Sequence, residues 1–110
     1  MANGRLTLTL RRGDSVEIVS PVGPVEVRLT EATDQRAALH VEAAPLFEVA
    51  WDLGRMPAPC DLEIFARGAA YVEPPGESDR IEIYVSKVAY GHVTIAFGAP
   101  KAWKISRKTR

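Results

Sequence analysis

Hydrophobic and polar residues alternate along most of the chain with a period of two residues. This period is typical of β-strands that bury one face, because successive side chains point to opposite sides of a sheet. The predicted inward positions are Leu6, Leu8, Leu10, Val16, Ile18, Val25, Val27, Leu29, Leu39, Val41, Ala43, Phe47, Val49, Trp51, Leu62, Ile64, Ile81, Ile83, Val85, Val93, Ile95, Phe97, Trp103 and Ile105. We therefore expect an all-β fold, a compact barrel or sandwich.

Turn-forming residues separate the alternating segments, for example Gly13-Asp14 and Tyr90-Gly91. One segment allows a second interpretation, because residues 31–44 are rich in alanine and a helix there competes with two strands. We prefer the strands, with a turn at residues 33–35.

The two halves of the chain follow the same order of elements. Each half has two short strands, a break with Pro and Gly, a longer hairpin, an Ala-Pro dipeptide and a last strand with Trp. Ala44-Pro45 corresponds to Ala99-Pro100, and the hairpin strands match at nearly the same spacing, with small insertions or deletions. We predict a diverged duplication with units 1–53 and 61–110, joined by a linker at 54–60. Because each unit is too small to bury a core alone, the two should fold as one domain.

The composition of the 110 residues is that of a single globular domain, with 46% hydrophobic residues. No apolar run is long enough to span a membrane, and the N-terminus lacks a secretory pattern, so we expect a cytoplasmic protein. Cys60 is interpreted as a plain thiol, and His40 and His92 as surface residues. Since no nucleophile with a base, metal-ligand spacing or phosphate loop is evident, we expect no enzyme, no metal and no cofactor.

Basic residues are concentrated at the two ends of the chain. The formal net charge is zero, which argues against a general binder of polyanions. Nearly all carboxylates lie between Asp14 and Gly98. The basic residues outside that range are Arg5, Arg11, Arg12, Lys101, Lys104, Arg107, Lys108 and Arg110. They form one surface only if the fold brings the two ends together.

The segment Gly91–Arg107, GHVTIAFGAPKAWKISR, resembles the carbon storage regulator (CsrA) family of bacterial RNA-binding regulators. In that family an alternating strand leads into A-P-K/R and then into a strand V-x-V-x-R. The N-terminal LTLTLRRGDSVEI is similar to the family's opening L-T-R-R-x-G-E. Family protomers have five strands and about half the length of this chain. They interleave as dimers, with the first strand of one beside the last strand of the other. The resemblance thus implies a monomer that resembles a fused dimer, with two interleaved repeats.

The resemblance further implies recognition of single-stranded or hairpin-loop RNA that contains GGA, in an mRNA leader or a small RNA, and thereby translational regulation. Arg107 would contact the RNA backbone or a guanine edge, because a guanidinium donates in a fork. Leu8 and Leu10 would supply strand backbone and apolar contact, and lysines and arginines would neutralise phosphates. The implied RNA-binding residues are Leu8, Leu10, Arg11, Arg12, Lys101, Lys104, Arg107 and Lys108. Trp103 could stack on a base. Because it is two residues from Ile105 and therefore on the same face of the strand, a place in the core is favoured.

A second, symmetry-related site would combine residues near Ile64–Arg67 with Glu48–Asp52. Its carboxylates would repel phosphates, so we expect one working site. The chain departs from the family pattern in two ways. Arg11-Arg12 align with the family's arginine pair only if one residue is omitted, and no helix follows the last strand. A partner that docks on that helix, such as a protein antagonist, is therefore in doubt.

Two alternatives stay open. The chain could be a protein-interaction module that kept this fold and lost RNA binding, which zero net charge favours. It could also be an unrelated β-sandwich or barrel in which Ala-Pro is coincidental. That second alternative predicts that Leu6–Leu10 and Trp103–Arg107 are not neighbouring strands.

Overall fold

The computed structural model describes residues 3–108, which form eleven β-strands and no helix. The strands are β1 (Asn3–Arg11), β2 (Ser15–Ser20), β3 (Gly23–Ala32), β4 (Arg36–Glu42), β5 (Glu48–Trp51), β6 (Gly54–Pro57), β7 (Cys60–Phe65), β8 (Ala69–Glu73), β9 (Ile81–Ala89), β10 (His92–Pro100) and β11 (Lys104–Lys108). The all-β prediction is confirmed. The alternative helix over 31–44 is wrong, because apolar residues alternate along β4. No helix in the described range could cross a membrane.

The strands are arranged in two antiparallel sheets whose apolar faces enclose a common core. The six-stranded sheet has the order β1-β10-β9-β8-β5-β6, and the five-stranded sheet has the order β11-β2-β3-β4-β7. Within residues 3–108, β1, β6, β7 and β11 are the edge strands. Neither sheet closes on itself.

The first and last strands of the chain join the hairpins of the opposite halves. β1 pairs with β10, with Leu6 opposite Phe97, and β11 pairs with β2, with Ile105 opposite Ile18. β1 and β11 therefore belong to different sheets, and the expectation that they pair as neighbouring strands is wrong. This is the arrangement that the alternative of an unrelated sandwich or barrel predicted. Each of these two strands instead extends a sheet of the other half, where its inward residues lengthen an apolar row.

Burial follows the predicted alternation closely. Val93, Ile95 and Phe97 are fully buried, and Trp103 is 6% exposed, so its predicted place in the core is confirmed. The start of β1 is the exception, because Leu6 is 36% exposed. An edge strand has a neighbour on one side only, which leaves its first half partly uncovered.

The predicted linker at 54–60 contains a strand. β6 pairs with β5, with Gly54 opposite Trp51 and Pro57 opposite Glu48. Proline is tolerated there because β6 is an edge strand, whose outer N–H groups need no partner in the sheet. β6 thereby covers the side of β5 that would otherwise be a free edge.

Two β-bulges occupy matching places in the two long hairpins. Thr30 is the unpaired residue of β3, and Ser86 is the unpaired residue of β9. The Thr30 hydroxyl donates to the Ala38 carbonyl at 3.0 Å, and the Ser86 hydroxyl donates to the Thr94 carbonyl at 3.1 Å. The two hairpins therefore share an irregularity as well as a strand pairing.

Two tight turns also match in their backbone hydrogen bonds. The Gly13 N–H donates to the Leu29 carbonyl at 2.8 Å, and the Arg67 N–H donates to the Val85 carbonyl at 2.6 Å. In each turn the next residue accepts from the same strand residue, at 3.0 and 2.9 Å. Gly13 and Arg67 have positive φ values of 94° and 70°, a conformation that usually favours glycine. Arg67 thus occupies a place that Gly13 fills in the other turn.

Candidate nucleic-acid interface

β1 and β11 approach each other through the turns at their ends, at one edge of the molecule, although they belong to different sheets. At their beginnings, a Cβ placed on Gly4 would lie 3.6 Å from Lys101 Cγ, in the turn before β11. At their ends, Arg107 Nη2 donates to Asp14 Oδ2 at 3.2 Å, in the turn after β1. The two basic ends of the sequence therefore meet. We call this surface the basic edge; its cations are Arg11, Arg12, Lys101, Lys104, Arg107 and Lys108.

Asp14 connects the turn after β1 with the end of β11. Its Oδ2 accepts the Arg11 backbone N–H at 3.0 Å as well as the Arg107 guanidinium. The pKa of Asp14 is lowered, mainly by the hydrogen bond from the Arg11 backbone and further by Arg107. The charged carboxylate orients the Arg107 side chain, which is 39% exposed. A guanidinium has five donors, so Arg107 keeps N–H groups for another acceptor.

The remaining cations flank Arg107 on two faces. Strand alternation places Lys104 and Lys108 on the outer face of the five-stranded sheet, where Lys108 Nζ lies 3.5 Å from Glu17. Arg11 is on the outer face of the six-stranded sheet, and Arg12 is exposed in the turn. Lys101 lies beside the start of β1, roughly 20 Å from Arg107 if each strand residue spans about 3.3 Å. Arg110 lies outside the described residues.

The two predicted leucine contacts have different outcomes. Leu10 is fully buried, so its side chain belongs to the core and the predicted apolar contact with RNA is wrong for it. It has this position because β1 ends against the facing sheet, where inward side chains are enclosed. Leu8 is half-buried against the core and remains partly accessible.

The opposite edge of the molecule brings the β5–β6 turn near the end of β7. The two strands β5 and β7 do not pair, because they belong to different sheets, whereas the resemblance implied a pairing of residues near Ile64–Arg67 with Glu48–Asp52. Trp51 and Asp52 line a cavity together with Ile64 and Phe65. Its strand arrangement differs from that of the basic edge, because β5 carries β6 as a further neighbour. Arg55 of β6 bridges Glu48 and Glu73, which holds β6 against the sheet. We call this surface the second edge.

His40 has partners that the sequence did not indicate. Its Nδ1 lies 2.7 Å from Asp61 Oδ1 and its Nε2 lies 3.0 Å from Glu42 Oε1. Glu42 could have been inferred, since residues two apart in a strand share a face. Asp61 could not, because it depends on the pairing of β4 with β7. No three His, Cys, Asp or Glu residues within 3–108 are grouped so as to hold a metal ion.

Protonated His40 should stabilise the contact between β4 and β7. Its pKa is raised above the usual 6.5, mainly by the hydrogen bond to Glu42 and then by that to Asp61. A raised folded pKa stabilises the protein fully below the unfolded value, and this contribution is lost as pH rises through the folded pKa. Because both partners are more than half exposed, the effect is less than about 1 kcal/mol.

We expect His40→Gln to lower the free energy of unfolding at about pH 5.5 and to have almost no effect at about pH 8.5. Urea unfolding of both proteins at the two pH values measures this difference. Asp61→Asn should act in the same direction, whereas Asp34→Asn, in an exposed turn, is the control. An equal loss at both pH values would show that His40 acts by packing alone.

Cys60 is buried at the start of β7, with 6% of its surface exposed. Burial raises the pKa of its thiol, and the neighbouring Asp61 adds to this shift. The thiolate is therefore disfavoured, which agrees with the interpretation of Cys60 as a plain thiol.

Comparison with models of protein families, with curated proteins and with solved structures gives no match to this chain. The resemblance to the carbon storage regulator family therefore rests on the residues quoted for it.

Proposed function

We propose that this chain is a diverged tandem duplication related to the carbon storage regulator family, and that it binds GGA-containing hairpin-loop RNA through the basic edge. The observation that carries the proposal is the meeting of the two basic ends at the Arg107–Asp14 ion pair. Binding of an mRNA leader or a small RNA at this surface would make the protein a translational regulator.

The strand order of the two sheets supports the duplication. If β1 to β5 are matched with β7 to β11, the order β1-β10-β9-β8-β5 becomes β7-β4-β3-β2-β11, which is the order of the five-stranded sheet. An interleaved pair of five-stranded repeats has this symmetry. β6 lies between the two repeats and has no counterpart.

The matching bulges and turns support the same relation in more detail. Thr30 and Ser86 each form a bulge in their own hairpin, and in each bulge the hydroxyl donates to a carbonyl of the paired strand. In one turn the Phe47 N–H donates to the Ala44 carbonyl, and in the other the Trp103 N–H donates to the Pro100 carbonyl. The sequence spacing between these two turns equals the spacing between the two bulges. Ala44 is therefore matched with Pro100, so that the two Ala-Pro dipeptides are out of register by one residue.

This correspondence separates the two edges by charge. Residues before the first hairpin are matched with residues of the second repeat at the sequence spacing that separates Gly13 from Arg67. Residues after that hairpin are matched at the spacing that separates Thr30 from Ser86. Together they relate each cation of the basic edge to a residue of the second edge. Arg11 corresponds to Phe65, Arg12 to Ala66, Lys101 to Pro45, Lys104 to Glu48, Arg107 to Trp51 and Lys108 to Asp52. Every cation is thus replaced by an apolar or acidic residue, and RNA is assigned to the basic edge alone.

The proposed recognition follows from the positions of these side chains. Arg107 lies between the two strands, where its remaining donors can bind a phosphate or a guanine edge. Arg11 on one side and Lys104 on the other can neutralise the phosphates that flank it. Leu8, which is half-buried in β1, offers an apolar surface to an unpaired base.

We expect the full chain to bind a hairpin with GGA in its loop at least about tenfold more tightly than the same stem with a loop lacking GGA. The complex should contain one RNA per chain. Isothermal titration calorimetry measures both quantities. Equal affinities for the two hairpins, or two RNA molecules per chain, would contradict the proposal.

A second candidate function is a protein-interaction module that has lost RNA binding. Arg107 and Lys108 each already have a carboxylate partner within the chain, Asp14 and Glu17, which favours this alternative. The absorbance ratio at 260 and 280 nm of the protein purified without nuclease distinguishes the two functions. Co-purified RNA supports the first, and a complex with protein that persists after nuclease treatment supports the second.

A further inference from the structure

β7 is an edge strand whose only charged residues are carboxylates. Charged side chains and proline discourage the pairing of an edge with a further strand. β1 contains Arg5 and Arg11, β6 contains Pro57, and β11 has three cations among its five residues. β7, with the sequence CDLEIF, has Asp61 and Glu63, which disfavour an acidic strand but attract a basic one. No strand of residues 3–108 pairs with the side of β7 away from β4.

A partly apolar groove lies beside β7. Two adjoining depressions, of about 410 and 130 Å³, are lined by β7 and by the β5–β6 turn, and the larger one extends over β4 and β3 to Ala38 and Thr30. Trp51 and Leu53 line both depressions, and Ile64 and Phe65 line the smaller one. Leu53 is 79% and Phe65 is 58% exposed. Side chains of this size that are exposed together beside a free edge are typical of an interaction surface.

One polar atom at this groove lacks a partner. The Trp51 indole N–H is buried and makes no hydrogen bond within the described residues. A buried donor without an acceptor is destabilising.

The charges beside the groove are mainly negative. Asp52 lies in the turn, and Asp61 and Glu63 lie on the outer face of β7 with side chains 83% and 50% exposed. The two cationic partners nearby, Arg36 at 3.4 Å from Glu63 and His40 beside Asp61, both belong to β4 on the far side of β7. A strand added to the open side would therefore meet carboxylates first.

We propose that the second edge binds an extended segment of a partner protein, which adds to β7 as a further antiparallel strand. The segment is basic and apolar at alternate positions. Its lysines or arginines lie on the outer face beside Asp61 and Glu63, with the aliphatic stem of one of them packed on Phe65. Its apolar side chains point to the other face, toward the Trp51–Leu53 groove. The backbone hydrogen bonds supply affinity, and the alternating side chains supply specificity.

The probe is a fluorescein-labelled peptide with the sequence KVKVKVK, titrated with the full chain and followed by fluorescence anisotropy. We expect it to bind at least about tenfold more tightly than EVEVEVE, which has the opposite charge, and than KVKPKVK, in which proline prevents strand addition. Glu63→Lys and Phe65→Ser should each weaken binding about tenfold. Glu77→Lys, in the exposed loop before β9, is the matched control and should change affinity less than about twofold.

Three results would overturn the proposal. In the first, KVKPKVK binds as well as KVKVKVK, which indicates charge attraction without strand addition. In the second, the chain self-associates in sedimentation and Phe65→Ser abolishes this, which assigns the edge to a second copy. In the third, Trp51→Ala weakens binding of the GGA hairpin, which assigns the groove to RNA. Because Glu63→Lys lies outside the basic edge, hairpin affinity should be unchanged in that variant, so the peptide test and the RNA test fail independently.

Discussion

Neither half of the chain, residues 1–53 or 54–110, is expected to form a folded monomer, whereas an equimolar mixture of the two should form a folded complex. In the whole protein β1 completes the sheet of β8, β9 and β10, and β11 completes the sheet of β2, β3 and β4. Each half alone exposes the strand edges that these pairs cover. A half of this size also buries too little apolar surface for stability.

Circular dichroism of each fragment and of the mixture measures this effect, with light scattering to determine the mass of each species. The intact chain is the reference, and it should unfold in a single transition. A half that associates with itself agrees with the account, because a second copy can supply the missing strands. A half that is folded as a monomer would contradict the exchange of strands as the basis of stability.

Arg107→Ala is expected to weaken binding of the GGA hairpin at least about tenfold and to reduce the salt dependence of that binding. If Arg11, Arg12, Lys104 and Arg107 each neutralise one phosphate of an unpaired strand, the logarithmic slope against salt is about −2.8. A fourfold increase in salt then lowers affinity about 50-fold. Loss of one phosphate contact reduces the magnitude of the slope by about 0.7.

Binding curves between about 50 and 200 mM salt give both quantities for wild type and variant. Arg36→Ala is the matched control, because Arg36 is also a half-exposed arginine paired with a carboxylate but lies on β4, away from the basic edge. It should leave the hairpin affinity within about twofold. An Arg107 variant with unchanged affinity and slope would show that RNA does not bind at this residue.

Much of the fold could be predicted from the sequence because period-two alternation is strict in the central strands. Val93, Ile95 and Phe97 were all expected to be inward, and all are fully buried. β6 was missed because Pro57 and Pro59 indicate a linker and because the strand depends on a partner in another part of the sheet. Arg55 of β6 bridges Glu48 and Glu73, which belong to two other strands. Local propensity contains no information on such a contact.

The candidate site could be predicted in part, for the same physical reason. Charge segregation identified the cations, but the pairing of Arg107 with Asp14 joins residues 93 positions apart. Only the topology shows that the ends of β1 and β11 meet at one edge although the two strands do not hydrogen bond to each other. Leu10 was expected to be inward from the alternation and to contact RNA from the resemblance; it is fully buried, because the end of β1 faces the other sheet. Alternation predicts which face a residue occupies, and the facing sheet decides whether that position is enclosed.

The central claim is that one edge of the molecule binds RNA and that its symmetry-related counterpart does not. The most direct test is a nuclear magnetic resonance titration of the isotope-labelled full chain with the GGA hairpin, followed through the backbone amide signals. The account predicts that shifts are confined to residues 8–16 and 101–108, with residues 48–53 and 61–67 unaffected. Equal shifts at both edges, or shifts confined to the second edge, would contradict it.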